Sequence, residues 1–108
     1  MINVNSILTA SGIPSKKTKF QSPPKNASYA VWFDGVTLVG PDMRPAMLRQ
    51  HDITIRVYEY KPDEAAETAL EAALDAADVA WDRSDRDWLQ EEQLYLTTYT
   101  FTFFEKRS

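Results

Sequence analysis

The sequence predicts an α+β domain: a mostly antiparallel sheet of four to five strands, one main helix over about residues 62–78, and a short N-terminal helix packed with it. Three observations predict this. Residues 51–60 (HDITIRVYEY) and 92–105 (EQLYLTTYTFTFFE) alternate with a period of two and are rich in β-branched and aromatic side chains. Residues 62–78 instead place Ala66, Ala69, Leu70, Ala73, Leu74 and Ala77 on one stripe at helical spacing. The length, 108 residues, suits a single domain over 1–108.

In chain order, residues 3–11 form the short helix: Val4, Ile7 and Leu8 share a side, Asn3 or Asn5 caps the start and Gly12 ends it. Residues 14–27 (PSKKTKFQSPPKNA) read as a basic, proline-containing loop or arm, either a solvated connection or an arm that orders against a neighbour. Residues 28–40 (SYAVWFDGVTLVG) read as a β-hairpin turning at Asp34-Gly35, a pair suited to a type I′ turn. Pro41 and Pro45 make 41–50 an excursion outside the sheet.

In strand 51–60, Ile53, Ile55 and Val57 point one way while Thr54, Arg56, Tyr58 and Tyr60 point the other. Pro62 suits the first position of the main helix, and Asp63 and Glu64 favour the positive end of its dipole. Residues 79–88 read as one strand carrying Trp81 and Trp88. The order is α-β-β-β-α-β-β, and the path from residue 60 through the helix to residue 79 is also compatible with a parallel crossover. The expected core joins Ile53, Ile55, Val57, Leu70, Leu74, Tyr99, Phe101 and Phe103.

Composition narrows the function classes. A net charge of −4 disfavours tight binding of nucleic acid through its phosphates. The absence of cysteine removes thiolate chemistry and cysteine metal sites, and fits a reducing cytoplasm. No signal-peptide pattern opens the chain, and no apolar run approaches the roughly 18 residues of a membrane span.

Catalytic patterns fail one by one. His51 is the lone histidine; its neighbour Asp52 points to the opposite strand face, so it reads as a surface residue at the start of a strand. Glu67, Glu71 and Asp75 stand at one-turn spacing, but on the polar face of an amphipathic helix, where acids are the default. DRSDRD (82–87) lacks the glycine and glutamate of a calcium loop and reads as a twisted strand or charged turn. The expectation is a protein that is not an enzyme, with no catalytic residue, metal or cofactor. Segment 61–92 holds eleven acids against three basic residues, which makes it an acidic surface.

The blocks YAVWFDGVTLVGPD (29–42), HDITIRVYEYKPDEAAETALEAALD (51–75) and WLQEEQLYLTTYTFTFFEK (88–106) resemble, in their order, the tail terminator (tail completion) proteins of long-tailed bacteriophages and prophages. That resemblance implies a structural subunit of the virion tail, assembled in the bacterial cytoplasm. It implies a six-fold homo-oligomeric ring that caps the tail tube protein and meets a head completion or connector protein. DNA would only pass through the lumen, and no membrane is involved. Alternatives are a head–tail connector or neck protein and a small prophage-encoded regulatory binding module. The opposite charge of the two segments suggests interface residues: Lys16, Lys17 and Lys19 against Glu64, Glu67, Glu71 and Asp75 of a neighbour.

Overall fold

A computed structural model describes residues 2–18, 28–39 and 48–106. Two helices and six strands follow one another as α1 (Val4–Ser11), β1 (Ser15–Lys17), β2 (Tyr29–Val39), β3 (Leu48–Glu59), α2 (Glu64–Ala76), β4 (Trp81–Arg83), β5 (Asp87–Leu89) and β6 (Leu94–Lys106). This is the expected α+β class. The sheet runs β1-β2-β3-β6-β4, with β5 also on the outer edge of β6. β1 is parallel to β2 and every other pairing is antiparallel.

The long central strands follow from their alternation. β3 turns His51, Ile53, Ile55, Val57 and Glu59 to one face, all buried. β6 presents Thr97, Tyr99 and Phe101 to the same side, and β2 adds Ala30 and Trp32. Both helices pack on this face. Leu70 and Leu74 of α2 and Val4, Ile7 and Leu8 of α1 complete the core, with Phe103 packed against its margin. Alanine at 66, 73 and 77 lets the helix lie close to its neighbours, the close packing that a small core requires.

α1 is capped as its sequence suggests. Asn3 Oδ1 accepts from the Ser6 N–H at 3.1 Å, and Gly12 takes φ 77° while its N–H donates to the Thr9 carbonyl.

Four expectations are corrected. Asp34-Gly35 is no turn: β2 is one unbroken strand whose residues pair with β3 from Tyr29↔Tyr58 to Val39↔Leu48. Eleven ladder pairs outweigh a local turn preference, and the connection to β3 falls in 40–47, outside the described residues. Residues 48–50 belong to β3 rather than to an excursion. Ser15–Lys17 is an edge strand, not part of a loop or arm; residues 19–27 of that segment lie outside the described residues. Pro62 precedes the helix, because Asp63 is the N-cap and its side chain accepts from the Ala66 N–H at 3.0 Å.

Residues 79–88 split into β4 and β5, which is why the sheet has six strands. β3 and β4 run in the same direction, but β6 lies between them, so the crossover through α2 skips one position. No helix among the described residues is long and apolar enough to cross a membrane.

Candidate functional site

The residues suggested as an interface divide by their surroundings. Lys16 and Lys17 are exposed on the outer strand β1. In register, Lys16 lies opposite Val31, on the helix-free face, and Lys17 lies opposite Trp32, with its Nζ 5.1 Å from that ring. Lys19 lies outside the described residues. Glu64 is exposed in the first turn of α2, and Asp75 is exposed while accepting from Trp81 Nε1 at 2.9 Å.

Glu67 is a correction. It is 3% exposed and already bound within its own chain, so it is not a surface acid available to a neighbour. Arg83 Nη2 reaches Glu67 Oε1 at 2.6 Å and Arg86 Nη2 reaches Oε2 at 2.5 Å. Glu71 is half-buried, bound by Arg83 Nη1 and by the Tyr99 hydroxyl, each at 2.8 Å.

These contacts form a clasp. The break between β4 and β5 lets 84–86 leave the ladder, and Arg83 and Arg86 turn in across the sheet edge onto α2. Ser84 keeps the strands together at the break: its N–H donates to the Thr98 carbonyl and its Oγ accepts from the Thr98 N–H. Beneath the clasp lies Glu59, fully buried, which accepts from the Asp63 N–H at 2.8 Å and from Thr97 Oγ1 at 3.2 Å.

Burial pushes the Glu59 carboxyl up to about 7, helped by its hydrogen bond to Glu67. Burial opposes ionisation of Glu67 as well. The hydrogen bond from Glu59 and the two guanidinium groups outweigh it and hold Glu67 below its ordinary value. Burial also raises the Tyr99 hydroxyl, so it remains a donor to Glu71.

A second cluster sits eight residues away along β3. His51 is a further correction: it is 8% exposed, not a surface residue. Its Nδ1 lies 3.0 and 2.9 Å from the two Asp34 oxygens, and its Nε2 lies 3.1 Å from Glu105 Oε1. The ring stacks on Phe103 at 4.5 Å. A cavity of about 320 Å³ opens beside it, lined by Asn3, Asn5, Trp32, Asp34, His51 and Phe103 among others.

The chain matches no family model and no curated protein.

The sheet edges complete the surface. On the edge opposite β1, Asp82, Asp85 and Asp87 are exposed, and the two arginines of that segment are turned inward onto carboxylates. Asp82 pairs with Thr100 and Asp87 with Leu96, which places both on the helix-free face, the same face as Lys16. One edge of that face is therefore basic and the other acidic.

The sequence reading missed Glu59, Arg83, Arg86, Asp34 and Glu105 as partners. Glu59 carried a signal, because it continues the alternation of Ile53, Ile55 and Val57 onto the core face. The arginines carried a weaker one, as two of the three basic residues in an otherwise acidic stretch.

Proposed function

We propose that this chain is a non-catalytic, self-assembling structural subunit of the bacteriophage tail terminator kind that its sequence resembles. Copies join head to tail into a ring, which caps a tail tube and receives a head connector. A ring of identical subunits needs two different, complementary patches on each copy. The observation that carries the reading is the pair of unlike sheet edges: Lys16 and Lys17 on β1, and Asp82, Asp85 and Asp87 along β4–β5. Both edges are short strands whose outer backbone groups have no partner strand among the described residues. Short edges limit indiscriminate strand pairing, and unlike charge selects one pairing sense.

The resemblance supplies the identity of the ring, and the charged edges supply a way to build it. Tube subunits that add head to tail expose a fresh end at each step, so only a ring with a non-propagating outer face stops growth. Deleting the gene from its phage is expected to give overlong tails and full heads without tails, seen by electron microscopy. Tails of normal length with defects confined to head closure would replace this reading with that of a neck protein.

A further inference from the structure

The helix layer ends at His51. Val36, directly opposite His51 on the same face, is 52% exposed, and Arg49, one row further out on that face, is exposed. On the other face Phe104 is 58% exposed and Leu48 is exposed. Among the described side chains, apolar burial thus thins out toward these ends of β2, β3 and β6. His51 stands at this boundary and contacts both neighbouring strands diagonally, Asp34 on β2 and Glu105 on β6.

We propose that His51 is a proton-operated staple: as the imidazolium it ties the ends of the three central strands together, and on losing its proton it lets them separate. Each ring nitrogen faces a carboxylate oxygen at hydrogen-bond distance. Only the cation carries two N–H donors. A neutral ring serves one carboxylate and turns a lone pair on the other.

Burial opposes the charge, but the hydrogen bonds to Asp34 and Glu105 outweigh it, and the group is raised above its ordinary 6.5. Among the described residues, few other charged groups lie nearby. Arg49 of β3 lies 3.7 Å from Glu105, and Lys17 of β1 lies over Trp32. α1, which packs from the helix side, has no charged residue. Since the value is raised in the folded state, the staple is complete below 6.5 and is lost as pH rises through the raised value. The inference is independent of ring assembly and holds for the isolated subunit.

The chain has one histidine, so its ring signals in NMR are unambiguous. Both ring nitrogens are expected to be protonated below pH 6.5, with a titration midpoint above the free-imidazole value. As pH rises through that midpoint, amide exchange in 36–39, 48–50 and 104–106, corrected for intrinsic chemistry, should quicken relative to Ile55 and Tyr99, by up to about tenfold for each pH unit between the free-imidazole value and the midpoint. His51→Phe should abolish that pH dependence. Should that variant not fold, Asp34→Asn with Glu105→Gln is expected to bring the midpoint back to the free-imidazole value or below. A titration midpoint at or below the free-imidazole value in the parent chain would overturn the proposal. So would strand-end exchange that follows pH equally in the His51→Phe chain.

Discussion

Glu59 occupies a position that the β3 pattern reserves for an apolar side chain, and it is accommodated because it carries a proton. The Asp63 N–H and Thr97 hydroxyl satisfy its oxygens, and Glu67 takes its remaining hydrogen bond. Its neighbour Glu67 bears the negative charge, with two guanidinium groups against it. This division has a consequence for stability. The folded chain keeps a proton on Glu59 that the unfolded chain, at an ordinary 4.5, has released. Stability is therefore expected to fall as pH rises from 4.5 to about 7 and then to level off as far as this group is concerned. His51 extends the decline above 6.5 for the same reason. Glu59→Gln, neutral at every pH, should flatten the acid part of the curve in denaturant unfolding. An unchanged slope in that variant would assign the titration to another group.

At the scale of elements, α2 is held by two leucines and a row of alanines rather than by large side chains. Leu70 is fully buried, so Leu70→Ala should cost about 2–5 kcal/mol, read from the shift in denaturant midpoint at constant slope. A near-neutral value would mean that the helix does not depend on this contact. The periodicity that identified α2, β3 and β6 was legible because burial on one face imposes it on every residue of a long element. The same alternation placed Tyr99 and Phe101 in the core.

Short elements were less legible. Ser15–Lys17 is a strand because the Pro14 carbonyl and the Thr18 N–H bond to β2, not because of its own sequence. Residues 79–88 split in two because Arg83 and Arg86 are drawn across to Glu67, a partner more than fifteen residues earlier in the chain. Asp34-Gly35 has turn chemistry but lies in mid-strand, where Asp34 meets His51 and Gly35 lies opposite Asp52. In each case a distant partner decided what local preference suggested otherwise.

Across the whole molecule, charge is arranged by position more than by amount. The net charge is only −4, yet the helix-free face is basic at β1 and acidic along β4–β5. Arg83 and Arg86 contribute to this contrast by turning inward, which leaves Asp82, Asp85 and Asp87 to dominate their edge. If copies join edge to edge, the attraction acts mainly on encounter: exposed charges steer approach and orient it, but add little to a contact already formed. Lys16→Glu with Lys17→Glu should then slow ring formation with little effect on subunit stability, because both side chains are exposed in the free chain and the contact of Lys17 with the Trp32 ring is worth only about 0.5–1 kcal/mol. The difference from the parent chain should be greatest at low ionic strength. It should shrink toward about 0.15 M salt, where the screening length falls to roughly 8 Å. Reversing Asp82 and Asp87 to lysine in the same chain should restore the rate, since the pairing sense is kept with the signs exchanged. Assembly followed by light scattering across salt concentrations reads all three chains. Equal rates for parent and double-lysine variant at low salt would remove the β1 edge from the interface, and failure of the compensating pair would remove the β4–β5 edge as its partner.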